Sequence, residues 1–285
     1  MTTAVEESTA APTRRADRAR PGTAFLRFLS RLPLFALAII LWQVTAPLID
    51  SPFFPPISQI AERFASDWIS GPPSRLFLTD VFVTNAGPTL LRLLAGWVIG
   101  AALGMTLGST IALFPRVGAA LEPLARFGMS VPAPALLPIA IALFGLGDGG
   151  KVFFIAFGAI WPVIVNTAAG LRGADALALN SARSLVLPPV TAFFRVRIPL
   201  ASPQIMSGLR VSVNAAVLLI VVAELYGATS GIGFFIVSTQ RNFDTVGTWS
   251  GIALLAIVGI VCNALFALTE RRVMRWQIIP REAHK

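Results

Sequence analysis

The sequence predicts an all-α, polytopic integral membrane protein with six transmembrane helices. Hydrophobic residues make up 55% of its 285 positions, and Asp, Glu, Lys and Arg only 13%, about half the fraction near 25% of ordinary soluble domains. The mean hydropathy is +0.74. Long apolar runs recur along the chain, and a backbone in lipid must satisfy its own polar groups, which favours helices. So few charges exclude a soluble enzyme, a disordered chain and a coiled coil. The single cysteine, Cys262, lies in an apolar run, and the single histidine, His284, is one residue from the end. No intrachain disulfide, histidine triad, metal cluster or cofactor is expected.

Residues 1–31 are polar and dotted with Arg14, Arg15, Arg18, Arg20, Arg27 and Arg31, which reads as a flexible basic tail. The first apolar run is Leu32–Ile49. A basic stretch before an apolar run also describes a secretory signal. Here Asp50-Ser51-Pro52 is no small-residue cleavage site, so an uncleaved span is expected. Ile57–Trp68 puts Ile57, Ile60, Ala61, Phe64 and Trp68 on one helical face. It would lie in the outer interface or pack on the bundle.

The second run, Leu93–Phe114, carries Gly96, Gly100, Gly104 and Gly108 at intervals of four. They form one helix side that a neighbouring backbone can approach. The third run, Ala133–Leu146, contains Pro134 and Pro138 and is expected to kink or break. Gly145 to Lys151 matches GxGxxG and the start of a P-loop as a string, but Val152 stands where a magnesium-binding Ser or Thr belongs. Both motifs need a strand before and a helix after, so the glycines read as turn residues. The fourth run, Val152–Leu171, holds Asn166, which reads as an interhelical hydrogen-bonding residue or as part of a pathway.

Arg172–Ser207 is too polar to span and too rich in Ala, Leu and Arg for a plain linker. Two short helices are expected in it, Asp175–Leu185 and Val190–Val196. The fifth run, Leu209–Tyr226, carries Glu224 near its end. An ionisable residue within a span marks a pathway or gate, or pairs helices near the interface. The sixth run is Trp249–Leu268, and residues 277–285 form a short tail.

With six spans, eighteen of the 23 Lys and Arg fall on the side of the termini. The other side holds Arg63, Arg75, Arg92, Lys151 and Arg241. Lys and Arg accumulate on cytoplasmic loops, so both termini are expected in the cytoplasm. That accounts for the net charge of +9 without nucleic acid as a partner.

The long loop also carries a pattern. Asn180-Ser181-Ala182-Arg183-Ser184-Leu185-Val186 is followed ten residues later by Val196-Arg197-Ile198-Pro199. Here the chain resembles the permease subunits of bacterial ABC importers, whose loop bears a Glu-Ala-Ala signature, a Gly and an Ile-x-Leu-Pro ending. Ala182 and Pro199 are identical to that pattern; Asn180 replaces the Glu and Val186 the Gly. Further segments are similar to the nitrate/sulfonate/taurine/bicarbonate branch. They are Thr89–Gly96, Leu137-Pro138-Ile139 with Phe144–Gly147, Trp161–Thr167, Val222-Ala223-Glu224 with Gly227–Gly233, and Glu270–Trp276.

The resemblance implies a MetI-like, type I importer fold over residues 32–276, in the bacterial inner membrane. It implies a dimer of permease subunits, a homodimer or a heterodimer, with cytoplasmic ABC ATPase subunits and a periplasmic or lipid-anchored substrate-binding protein as partners. Membrane lipid surrounds it. ATP hydrolysis would sit on a separate subunit, and the substrate would be a small anion such as a sulfonate or nitrate. The loop would couple to the ATPase through Asn180 to Val186 and Val196, Ile198 and Pro199. Arg183 and Arg195 would meet acidic partner residues or remain solvated. Valine lacks easy access to positive φ, so the turn at Val186 is expected to differ from the family's or to sit at Pro188-Pro189. A secondary transporter or channel is the competing reading; it would show inverted repeats and mid-membrane ion sites.

Overall fold

The computed structural model describes residues 32–277. The tails at 1–31 and 278–285, with His284 and the basic residues they carry, lie outside the described residues. Helices and their connections account for the described chain, with no strand among those residues. Contacts divide it near Ile57 into two compact units.

The first unit holds α1, Leu32–Ile49, 18 residues long. At 1.5 Å per residue this is about 27 Å, close to a hydrocarbon layer of roughly 30 Å. Trp42 stacks on Phe54 at 5.0 Å and donates from Nε1 to the carbonyl of Pro55 at 3.0 Å.

In the second unit, α2 (Ile57–Phe64) continues through a π turn, Ala65–Ile69. Of the two readings of this amphipathic stretch, the structure has it packed on the bundle. Trp68 is fully buried, donates from Nε1 to Ser250 Oγ at 2.8 Å and meets Phe235 edge-on at 4.7 Å. Arg63 joins Asp67 to Asp244, at 2.9 and 2.7 Å.

Helix α3, Asp80–Leu113, is capped by the Thr79 hydroxyl, which accepts from the Phe82 N–H. It begins well before the run starting at Leu93. Arg92 therefore lies inside the helix and is buried, not in an outer loop. Lys151, expected in the same group of outer loop cations, is likewise buried within a helix. Arg92 is held there by partners across the bundle, and Lys151 by the Leu146 carbonyl and Asp148 just before it.

Helix α4 (Pro115–Ser130) and the segment Ala133–Phe144, a 3₁₀ turn followed by α5 (Leu137–Phe144), meet at 96°. The eight residues of α5 rise about 12 Å, too little to cross lipid alone. Pro132, Pro134 and Pro138 impose the break. Helix α6 is Asp148–Arg172, and α7 is Ala176–Ser184 with Asp175 as its cap.

The second short helix expected in the loop is not separate. Residues Pro189–Leu225 run as one helical stretch of 37 residues: α8 (Pro189–Ala192), a π turn (Phe193–Arg197) and α9 (Ile198–Leu225). Pro199 follows directly on the π turn, an irregular spot in the hydrogen-bond ladder where a residue without an N–H is accommodated. Helices α10 (Ile232–Arg241) and α11 (Thr245–Val273) complete the unit.

Among the described residues, four helical stretches are long and apolar enough to cross a membrane, or five if the bent α4–α5 pair is one span. The core is α6 packed against both α3 and α9, which also touch each other.

Candidate functional site

Glu224 sits one residue before the end of α9 and is 1% exposed. A bare carboxylate there would be costly. Instead each oxygen is engaged. Oε1 accepts from Arg92 Nη1 at 2.9 Å, the Thr89 hydroxyl lies 2.9 Å from both oxygens, and the Gly233 N–H donates to Oε2 at 3.0 Å. Thr89 and Arg92 are three apart on α3, hence on one helix face. Arg92 is filled in turn. It pairs with Asp148 at the start of α6 at 2.8 Å and donates to the carbonyl and hydroxyl of Ser230 at 2.8 and 2.9 Å. Lys151 donates to the Leu146 carbonyl at 2.9 Å and lies 3.9 Å from Asp148.

The cluster ties α3, α6 and α9 to the turn before α10. That turn approaches so closely that a Cβ on Gly231, whose φ is +128°, would fall 2.3 Å from the Glu224 carboxyl carbon. Only glycine adopts that backbone without strain and leaves this room.

The four glycines of α3 face α6. A Cβ on Gly100 would lie 2.7 Å from the Ala156 carbonyl oxygen, and one on Gly104 2.7 Å from Val163 Cβ. Gly96 meets Ile155, and Gly108 meets Ile164 and Thr167, equally closely. On a neighbouring face of α6, Asn166 accepts from Gln204 at 2.8 Å while its amide donates to the Pro162 carbonyl at 2.8 Å. Its position joins α6 to α9.

At the opposite end from the Arg92 cluster, Arg172 donates to Glu122 at 2.6 Å and to the Ile111 carbonyl at 3.1 Å. This clamps the ends of α3 and α6 to α4. Beyond it projects α7. Asn180, Ser181, Arg183 and Ser184 are exposed on it, and Ala182 is its buried residue.

The turn after α7 is where expectation and structure part. Val186 itself takes the left-handed conformation, with φ +51°. Its N–H donates to the Arg183 carbonyl at 2.9 Å, and that of Leu187 to the Ala182 carbonyl at 3.3 Å. This is a Schellman closure with valine in the place glycine normally takes. The two bonds and the following Pro188 and Pro189 hold the turn against the strain. A non-glycine residue in this region costs roughly 1–2 kcal/mol. Val186→Gly is accordingly expected to stabilise the turn by about 1 kcal/mol. Slower hydrogen exchange at the Leu187 amide would report it; unchanged or faster exchange would count against the strain.

Leu185 and Val186 stand 73% and 86% exposed at this tip. Val196, Ile198 and Pro199 lie in the π turn and first residues of α9, against which α7 leans. The loop thus ends in a short, capped helix with an apolar tip.

Comparison with known proteins assigns the architecture. The profile of the binding-protein-dependent transport system inner membrane component matches residues 100–275. The chain belongs to that family. A Bacillus subtilis (strain 168) permease protein, SsuC, named for aliphatic sulfonates transport, is 31% identical over 264 residues, 92% of each chain. The taurine transport system permease protein TauC of Escherichia coli (strain K12) is 28% identical over 86% of this chain and 89% of its own. The nitrate import permease protein NrtB of Synechococcus elongatus is 29% identical over 87% and 90%. Among solved structures, the MetNI methionine ABC transporter in inward-facing conformations aligns with a TM-score of 0.58. It is 15% identical and covers 66% of this chain and 94% of that one. An amino acid ABC transporter aligns with a TM-score of 0.51 at 16% identity, over 76% and 96%.

This permease therefore has the MetI-like fold and is a multi-pass inner membrane protein, a transport subunit and not an enzyme. Sequence reasoning named Glu224 but not its partners. Its partners Thr89, Arg92 and Gly233, and Asp148 and Ser230 beyond Arg92, were missed because each lies outside the predicted spans. One signal was present: Leu90-Leu91-Arg92-Leu93-Leu94 is apolar on both sides of the arginine, the mark of a charge within a helix.

Proposed function

We propose that this permease forms the translocation pathway of an ABC importer and is driven through its cytoplasmic loop by a separate ATPase. Six spans place both termini in the cytoplasm. Two copies of the chain, or this chain with a related one, join two ATPase subunits, and an external binding protein delivers the substrate. Sulfonates, taurine and nitrate in the names of its relatives favour a small anion.

The observation that carries this reading is the lever. Helix α7 is capped at Asp175, closed at Val186, and presents Leu185 and Val186 to solvent. Apolar side chains so exposed on a rigid turn suit a partner's pocket. Movement of that partner would turn α7 as a body and pull on α9, which continues from it across two prolines. Glu224 and the Arg92 cluster then hold the far end of α9 as the gate-side anchor, and Asn166 keeps α6 and α9 in register along the path.

Leu185→Asp with Val186→Asp is expected to leave membrane insertion normal while abolishing ATPase co-purification and uptake. Wild-type uptake by the double variant would overturn the reading. ATPase stimulation across a panel of sulfonates, nitrate and bicarbonate, with the binding protein present, identifies the substrate.

A further inference from the structure

Between α7 and the bundle lies a groove of about 630 Å³, within the range of small-molecule and lipid sites. Its walls are the corner Leu113–Phe114, the inner face of α7 at Leu179 and Ala182, and Phe193 and Phe194 of the π turn. Arg183 and Arg197 complete it. No acidic residue lines it. Arg183, Arg197 and the nearby Arg116 and Arg195 form no ion pair among the described residues. The Nε–H of Arg197 is buried without an acceptor; it has no open surface toward the groove, so the guanidinium meets an anion there through its terminal nitrogens.

We infer that this groove binds one anionic phospholipid, its phosphate held by Arg183 and Arg197 and an acyl chain laid among Phe114, Phe193 and Phe194. Three features select that occupant. The cationic rim requires an anion, and guanidinium groups grip phosphate oxygens in pairs. The aromatic wall requires an apolar tail. The corner Leu113–Phe114 is also where α3, a helix apolar enough to cross a membrane, ends, which sets that wall of the groove at the edge of the hydrocarbon. An acidic segment of the ATPase fits less well. The tip that a partner would grip, Leu185 and Val186, is not part of the groove, and of the α7 residues that line it Ala182 is buried and Arg183 stands exposed at the rim. The lipid would brace the lever from beneath, so coupling would depend on the anionic lipid of the inner leaflet. The regulatory part rests on the function proposed above; the binding itself does not.

The test uses the purified full chain in detergent, with phosphatidylglycerol or phosphatidylcholine added and retention read by native mass spectrometry. The wild type is expected to keep one phosphatidylglycerol in preference to phosphatidylcholine. Arg183→Gln with Arg197→Gln should weaken retention about tenfold, the loss of one charge-assisted contact or more. Ala192→Trp, which fills the groove without altering charge, should weaken retention of the same lipid. Equal retention of both lipids, or of phosphatidylglycerol by wild type and the arginine variant, would overturn the inference. So would displacement of the lipid by added ATPase. If the ATPase never joins the chain, the proposed function fails while the lipid result stands; the reverse outcome removes the lipid alone.

Discussion

Arg92→Ala is expected to lose about 3–5 kcal/mol, the toll of leaving a buried charge without its partner. The substitution strands Glu224, which is 1% exposed, with only the Thr89 hydroxyl and the Gly233 N–H. It also frees Ser230 and the turn that positions α10. Thermal unfolding of the permease in detergent, followed by tryptophan fluorescence, should shift well down. The double variant Arg92→Met with Glu224→Met should recover most of the loss. A buried pair replaced whole by apolar side chains is often neutral or stabilising. Asp148 does not upset the comparison, because its side chain is 69% exposed and water solvates it when Arg92 is gone. If Arg92→Ala melts with the wild type, or the double variant melts below the single one, the cluster is not the staple its geometry indicates.

The second large effect lies on the glycine seam. Gly100→Leu forces a side chain toward a backbone carbonyl that a Cβ alone would already reach at 2.7 Å. Overpacking against side chains costs typically 1–3 kcal/mol. Backbone cannot move aside as a side chain can, so the upper part of that range or more is expected. Helices α3 and α6 would separate, and the variant should aggregate or be degraded after insertion. Gly259→Ala on α11 is the control. Its Cβ would meet Val217 at an ordinary 3.6 Å, and removing a mid-helix glycine stabilises by about 0.5–1 kcal/mol. Expression and melting of the two variants should therefore move in opposite directions. Gly100→Leu behaving like the control would show that the seam is looser than its distances imply.

The span pattern was legible because hydropathy sums over neighbours in sequence. Leu32–Ile49 coincides with α1, and Asp175–Leu185 with α7 and its caps. Boundaries failed where a charge lay inside a helix. Arg92 truncated α3 at Leu93 because an unpaired arginine is too costly in lipid, and only its partners make it affordable. The helix expected at Val190–Val196 was separated from the run Leu209–Tyr226 because the stretch between is too polar to span, although one helix runs through it. The spacing of the four glycines announced a close approach, but not that α6 makes it.

By itself the sequence determined the membrane class, the order of the helices and the exposed loop pattern, because these depend on composition and local periodicity. The tertiary structure alone decided which charge neutralises which. Arg92 and Glu224 are 132 residues apart in the chain, and no local rule couples them. It also decided that Val186 takes a glycine's conformation. Backbone strain of that kind is set by what lies on both sides of a turn, a helix end closed by two hydrogen bonds and a proline pair that fixes the exit, and not by the preference of the residue within it.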